Sequence, residues 1–277
     1  MTVVAAAPPS NCINLARVLA GATPFKDLGI PNVGETYRGQ ILVGTSEVRP
    51  AIIKDIPSRE LANELLATAL GTALALPVPR AYLAIAPQAA LPAKHAPKLS
   101  GLSLVFATAD VASPSVASVV RTASDQSAAI RAAIEFLMKS GCLGDLYGFD
   151  SWVANVDRHV GNILLGGTGW PWLIDHGRCF TGSLWKASDL ADPSLIFTSR
   201  LKQWLTPGLT KENREKYADD AKDLASKLKG VDAGALATEN WVADLLDASD
   251  FSAVVAFLIG RVDHVPRIAA DALDLIA

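Results

Sequence analysis

The order of strand-like and helix-like patterns along the chain constrains its fold more than any other feature. Short apolar or alternating runs that predict strands occur before residue 108, at 37–43, 51–54, 81–85 and 102–106. One helical pattern, 59–74, interrupts them and ends before a proline pair. Later in the chain helical patterns predominate, at 124–140, 213–229, 238–246 and 251–277, the last broken near Pro266, while 143–153 is either helical or a loop. Strands therefore come first and helices follow.

This segregation predicts an α+β protein built as two lobes. The N-terminal lobe, residues 1–108, is expected to be a small sheet with one helix, and the C-terminal lobe, residues 109–277, to be larger and helical. Half of the 277 residues are hydrophobic, which is enough to build a sizeable core. A cleft between two such lobes is a favourable place for a ligand.

Composition excludes several classes of protein. The formal net charge is −3 and charged residues make up 19%, so the basic surface that nucleic-acid binding requires is not expected. Cys12, Cys142 and Cys179 are far apart, which argues against a disulfide scaffold or a zinc site. The N-terminus lacks the pattern of a signal peptide, and no apolar run is long enough for a membrane span. We therefore expect a cytoplasmic protein with neither nucleic-acid nor membrane partners.

Three polar residues have the spacing of a phosphoryl-transfer site. Asp157 precedes Asn162, and Asp175 follows Asn162 after a short apolar run. Carboxylate and amide oxygens suit Mg²⁺ bound to nucleotide phosphates. In kinase-type transfer the loop aspartate orients or deprotonates the acceptor hydroxyl, while the asparagine and the later aspartate hold the metal. Each residue alone is also an ordinary turn residue, but the set together favours the catalytic interpretation.

Asn162 and Asp175 flank a predicted β-hairpin. The glycine-rich stretch at 166–169 is a turn signal between two short apolar runs. If Leu165 pairs with Trp172, the antiparallel register places Asn162 directly opposite Asp175. The two expected metal ligands would then lie side by side at the open end of the hairpin.

Lys54 is the predicted phosphate-binding cation, because it ends a strand in the manner of the strand lysine of kinases. Glu64, ten residues later, lies within the apolar stripe of the following helix, where a carboxylate requires a partner. An ion pair between them would direct the ammonium at the phosphates. A solvated lysine with a glutamate at the helix edge is the alternative, and Glu60 is the rival partner.

Other residues near these motifs have less specific patterns. Gly34 and Gly39 bound a stretch whose backbone amides can approach phosphate if it forms a loop. His159 either contacts phosphate or supports the catalytic loop, and Arg158 either pairs with a carboxylate or has a structural role. His176 is expected to support the site rather than to act as a base. Apolar walls for a nucleotide base are expected from Ile52, Val105 and Ile174.

The chain resembles the HipA-like kinases, particularly the short HipA-related domain, whose catalytic loop is similar to that of phosphatidylinositol kinases. The resemblance rests on VANVDRHVGNILL at 153–165 and LIDHG at 173–177. It is supported by Ile53-Lys54, by LANE at 61–64 and by LPVP at 76–79. Together these motifs span residues from about 35 to 180.

The resemblance implies a protein-kinase-like bilobal fold and ATP- and Mg²⁺-dependent phosphorylation of a Ser/Thr hydroxyl on a protein or on the kinase itself. By motif, Asp157 and Asn162 correspond to catalytic residues, Asn162 and Asp175 to metal ligands, and Lys54 with Glu64 to the nucleotide-binding pair. A protein substrate and a regulatory or antitoxin-like partner are implied as well. The phosphate loop is poorly matched, and the chain is shorter than full-length HipA-type toxins.

Three alternatives remain at this point. A small-molecule phosphotransferase of the aminoglycoside or choline-kinase type uses a similar trio, but usually carries a histidine where this chain has Asn155. A lipid kinase fits the loop, although no basic or amphipathic membrane-binding stretch accompanies it. A nucleotide-binding pseudokinase is disfavoured because Asp157, Asn162 and Asp175 are all intact.

Overall fold

The computed structural model describes residues 13–25, 35–167 and 169–276. Its main sheet has seven strands and contains all four predicted strand runs, together with three short strands that were not predicted. The strands are β1 (Asn14–Val18), β2 (Thr23–Pro24), β3 (Glu35–Val43), β4 (Glu47–Asp55), β5 (Ala81–Ala86), β6 (Lys98–Leu99) and β7 (Leu102–Ala109).

Five of these strands close into a ring. β1 pairs in parallel with β5 and antiparallel with β3, which completes the order β1-β5-β7-β4-β3. The interior of the ring is apolar and includes Ile41, Ile53 and Val105. Successive strand residues point to opposite faces, so Ile53 inside the ring places Lys54 on its outer face.

Helix α1 (Ser58–Ala73) packs on the outer side of the ring. Its middle is buried on all sides because one apolar cluster joins Leu65 to Phe106 of the sheet and to Phe149 and Phe257 of the later helices. The helix begins after Pro57, and the chain leaves it before Pro77. The mixed α+β class is therefore confirmed, whereas the division into lobes at residue 108 stays a prediction.

The rest of the chain is mostly helical. Asp125 caps α3 (Gln126–Ser140) by accepting the Ala128 N–H, and Gly141 ends it in a left-handed conformation. None of the helices in the described segments has the length and apolar character needed to cross a membrane. These helices are α2 (Val116–Thr122), α3 (Gln126–Ser140), α4 (Leu143–Trp152), α5 (Arg200–Trp204), α6 (Lys211–Leu228), α7 (Ala233–Glu239), α8 (Val242–Leu245), α9 (Ala248–Arg261) and α10 (Val265–Ala272).

Of the predicted C-terminal helices, one is divided differently and another is interrupted near Pro266 as predicted. The single helix expected at 238–246 is wrong: Trp241 adopts a left-handed conformation between α7 and α8. The last helix is interrupted at a 3-10 turn, Val262–His264, just before Pro266. Proline is accommodated there because the first turn of α10 leaves its N–H groups without helical partners.

The predicted hairpin forms as β8 (Ile163–Leu165) and β9 (Pro171–Leu173), but its predicted register is wrong by one residue. Leu165 pairs with Pro171 rather than Trp172. A side chain on Gly166 would collide with the carbonyl of Trp170, so this glycine allows the loop to close one residue earlier. Asn162 consequently faces Ile174, and the Ile174 N–H donates to the Asn162 carbonyl oxygen at 3.1 Å.

Candidate active site

A cavity of about 520 Å³ lies against the outer face of the ring, α1 and the hairpin. Of the predicted apolar walls, Ile52 and Ile174 line it. Val105 was predicted wrongly, because it points into the ring and its neighbour Phe106 reaches the cavity instead. Strand alternation explains this exchange. Lys54, Glu64, Asn162 and Asp175 all border the same cavity.

Lys54 connects two carboxylates that lie far apart in the sequence. Its Nζ is 2.6 Å from Glu64 Oε1 and 2.9 Å from Asp175 Oδ1. The predicted Lys54–Glu64 ion pair is thus present, and Glu60 is not the partner. Glu60 lies one helical turn earlier, packed so closely on Gly177 that a side chain there would collide with it. The structure therefore brings together the end of β4, the middle of α1 and the second residue after β9.

The charges at this point are unequal in number. Burial lowers the pKa of Lys54, but Asp175 and Glu64 together raise it more, so its ammonium stays protonated. Burial, together with the Asp175 charge, raises the pKa of Glu64 more than Lys54 and the His176 N–H lower it. Burial also raises the pKa of Asp175, but Lys54 overcomes this effect and the net pKa is lowered. One cation against two carboxylates leaves spare negative charge at the cavity wall, which suits a divalent cation.

The residues of the predicted catalytic loop are held by short local hydrogen bonds. Asn155 Oδ1 accepts the Asp157 N–H at 3.0 Å, and Asn162 Nδ2 donates to the Asp157 carbonyl at 2.8 Å. This second bond orients the Asn162 amide, so its Oδ1 is the atom left for a metal. Asp175 adopts a left-handed backbone conformation, φ +61°, two residues after the end of β9. An amide oxygen and a carboxylate on one cavity fit Mg²⁺.

Arg158 anchors this loop from beneath. It is fully buried, and its Nε and Nη2 each lie 3.0 Å from a different oxygen of Asp150. Its Nη1 donates to the carbonyls of Ile174, at 2.7 Å, and Asn162, at 3.3 Å. One guanidinium thus connects α4 to the residue before β8 and to the residue after β9. Arg158 therefore both pairs with a carboxylate and has a structural role, the two alternatives that its sequence position allowed.

Two cationic side chains that sequence reasoning missed, those of Arg178 and Arg200, form ion pairs with Asp157. Arg200 Nε lies 3.0 Å from its Oδ1, and Arg178 Nε lies 3.5 Å from its Oδ2. His159 Nε2 is 4.0 Å from Oδ2, while its Nδ1 accepts the Gly161 N–H. Burial lowers the pKa of His159, so the neutral ring carries its proton on Nε2. No spacing signal connects Arg200, which begins α5, with the loop.

Asn63 is a second missed residue, placed beside Glu64 on α1. Its buried Nδ2 donates to three carbonyls, those of Gly177, Cys179 and Gly182, at 2.8–3.2 Å. Its Oδ1 accepts the indole N–H of Trp185 at 3.0 Å. The segment that follows Asp175 is therefore fastened to the helix that carries Glu64. The available signal was an asparagine beside Glu64, among the apolar residues of 61–67.

His176 lies behind the ion pair, and its backbone N–H donates to Glu64 Oε2 at 2.9 Å. Burial, reinforced by the nearby Arg158 and Lys54, lowers the pKa of its ring well below the usual range. Its buried Nε2 has no hydrogen-bond partner within the part of the chain that the structure describes. A neutral, enclosed imidazole agrees with a supporting role for His176.

The two predicted glycines do not form a phosphate loop that the structure describes. Gly39 lies inside β3, paired with Ala51, so the loop predicted there is wrong for residues 35–39. Its missing side chain accommodates Ala22, which packs against it. Gly34 lies outside the described residues.

Comparison with known proteins identifies the family. A search of curated sequences found no significant match. A family model described as HipA-like kinase matches residues 52–233, well over half of the chain. The match contains Lys54, Glu64, Asp157, Asn162 and Asp175, and its family is one of phosphotransferases. The chain therefore belongs to the HipA-like kinase family.

Proposed function

We propose that this protein is an ATP- and Mg²⁺-dependent kinase with a two-lobed kinase-like fold, which transfers the γ-phosphate to a Ser/Thr hydroxyl of a protein or of itself. One observation carries the proposal. Lys54 contacts Glu64 and Asp175 together, at the wall of a cavity that Asn162 also borders. A strand lysine positioned by a helix glutamate, beside two oxygen ligands, is the arrangement that phosphoryl transfer requires.

In this proposal the cavity holds the nucleotide. Ile52 and Phe106 supply apolar contacts for the base. Lys54 directs its ammonium at the phosphates, while Glu64 holds it in place. Asn162 Oδ1 and Asp175 hold Mg²⁺, which neutralises charge on the phosphates when bound.

Asp157 receives the acceptor. Its carboxylate accepts the proton of the Ser/Thr hydroxyl as the hydroxyl oxygen forms a bond to the γ-phosphorus. The bond from that phosphorus to the β,γ-bridging oxygen breaks, and ADP leaves. Arg158 keeps the loop in place through Asp150 during this step. Orientation of reactants in this way is the main contribution a kinase makes.

The acceptor, the regulatory or antitoxin-like partner and the cytoplasmic location stay predictions. The alternative acceptor is a small molecule. With γ-labelled ATP, a small-molecule acceptor leaves the proteins unlabelled, whereas a protein acceptor becomes labelled itself. The same assay therefore separates the two.

The test is incubation of the purified protein with γ-labelled ATP and Mg²⁺, alone and with host lysate, with nucleotide binding measured in parallel. Asp157→Ala should lower transfer by about 10²- to 10⁴-fold and keep ATP binding. Asp223→Ala, on the exposed side of α6, is the matched control and should behave like the wild type. Nucleotide binding without labelled protein would favour a small-molecule acceptor, and absence of nucleotide binding would contradict the kinase proposal.

A further inference from the structure

The arginines at the active site use their hydrogen-bond donors in two different ways. Arg158 is fully buried and uses all three of its guanidinium nitrogens within the protein. The side chains of Arg178 and Arg200 are 39% and 45% exposed, and each approaches Asp157 through Nε. These two contacts are ion pairs, and no hydrogen bond joins either guanidinium group to residues that the structure describes. Their terminal amino groups are therefore open to a ligand.

Two guanidinium groups share the single Asp157 carboxylate, whose side chain is 13% exposed. Glu60 is close enough to Arg178 for their charges to interact, yet no ion pair joins them in the described segments. A guanidinium matches carboxylate and phosphate groups through two parallel hydrogen bonds. The pair therefore offers donors for an acidic group immediately beside the expected catalytic base.

The position of the pair separates it from the nucleotide. Neither arginine lines the cavity that Lys54 and Asp175 border, and neither does Asp157. A hydroxyl that reaches the Asp157 carboxylate must approach the groups that already contact it. These arginines thus lie on the acceptor side of the site.

We infer that Arg178 and Arg200 select an acceptor that carries an acidic group, a carboxylate or a phosphate, on a residue close to the reacting Ser/Thr. The inference rests on the proposed kinase function and specifies its substrate class. The acidic group pairs with the open amino groups while the neighbouring hydroxyl lies at Asp157. A basic residue at the same place is repelled by both guanidinium groups.

The probe is a Ser/Thr peptide library in which one flanking position at a time is fixed as Asp, Glu, phosphoserine, Ala or Lys, labelled with γ-labelled ATP. The wild type should prefer an acidic over an alanine residue by about tenfold at one or more positions, as expected for hydrogen bonds to charged groups. Arg178→Ala with Arg200→Ala should reduce that ratio to about one, and the two single variants should reduce it in part. Arg131→Ala, an exposed arginine on α3, should leave it unchanged.

The ratio compares peptides on one enzyme, so a smaller folded fraction does not affect it. Preference for phosphoserine over Asp and Glu would identify phosphate as the group, and equal preference would identify charge alone. A wild type without acidic preference, a double variant that retains it, or an ATP-binding enzyme that labels no peptide would overturn the inference. A protein that binds no ATP would instead contradict the proposed function.

Discussion

Two cations at the candidate active site, the fully buried Arg158 and the half-buried Lys54, are neutralised in different ways. Arg158 faces one carboxylate, Asp150, and its remaining donors are used by backbone carbonyls. Lys54 faces two carboxylates, Glu64 and Asp175, and borders the cavity. The charges of Arg158 and Asp150 cancel inside the protein, so their ion pair has a structural role. Lys54 with two carboxylates leaves excess negative charge at the cavity wall, where a ligand can use it. Burial of a cation alone therefore does not distinguish a structural role from a functional one.

The two networks also differ in how far apart their members lie in the sequence. Arg158 and Asp150 are eight residues apart, so the end of α4 and the catalytic loop bring them together locally. Lys54 and Asp175 are 121 residues apart and meet only when the sheet, α1 and the hairpin have packed. We expect the first network to affect folding and the second to affect chemistry.

The largest effect on stability is expected at the Arg158–Asp150 ion pair. Arg158→Leu should lower the free energy of unfolding by about 3–5 kcal/mol, because Asp150 is left buried without its counter-ion. Arg158→Lys should not restore it, since an ammonium cannot bind both carboxylate oxygens as a guanidinium does. Urea unfolding measures both variants, with Arg131→Leu as an exposed control. Unfolding curves that coincide with the wild type would mean that Arg158 is not an anchor.

A smaller effect, on phosphoryl transfer rather than on folding, is expected at the Lys54–Glu64 ion pair. Lys54→Met and Glu64→Gln should each lower Asp157-dependent transfer, because Glu64 acts by holding Lys54. In the double variant the losses should not add, with a coupling free energy of about 0.5–3 kcal/mol. Transfer rates of the four proteins provide this cycle. Additive losses would show that the two side chains act independently and would remove the distinction between the networks.

The smallest effect concerns Glu60. Burial, with the nearby Glu64 charge, raises its pKa from 4.5 to about 6. The folded protein therefore binds a proton more tightly than the unfolded chain, and stability falls as pH rises from about 4.5 to 6. Glu60→Gln should remove this fall, so that it matches the wild type near pH 4 and exceeds it above pH 6 by less than about 1 kcal/mol.

Unfolding free energies at pH 4, 5 and 7 measure this difference, with Asp223→Asn as an exposed control that should show no such trend. A constant difference between Glu60→Gln and the wild type across these pH values would contradict the assignment. It would also mean that the excess negative charge near Lys54 does not extend to Glu60.

Features that depend on neighbouring residues could be predicted from the sequence. The period-two runs predicted β3, β4, β5 and β7, and the apolar stripe predicted α1. The Lys54–Glu64 contact followed from a strand end and a buried carboxylate on the next helix. β1 was missed because it is short, and its pairing with β5 is a long-range contact.

The hairpin separates what local sequence determines from what packing decides. Its existence followed from two apolar runs around a glycine-rich turn, but a one-residue change of register exchanges the faces of every side chain. In the observed register Gly166 lies against the Trp170 carbonyl, and the Leu165 N–H donates to the Pro114 carbonyl outside the hairpin. The sequence also could not indicate which of Val105 and Phe106 faces the cavity, because the ring must close before one face becomes its interior.

The sequence by itself determined the α+β class, the family and the residue types of the candidate site, because these depend on periodicity and on local spacing. Only the tertiary structure decided that Lys54 forms ion pairs with two carboxylates and that Arg178 and Arg200 form ion pairs with Asp157. Electrostatic interactions depend on distance in space and on burial, and neither can be read from separation along the chain.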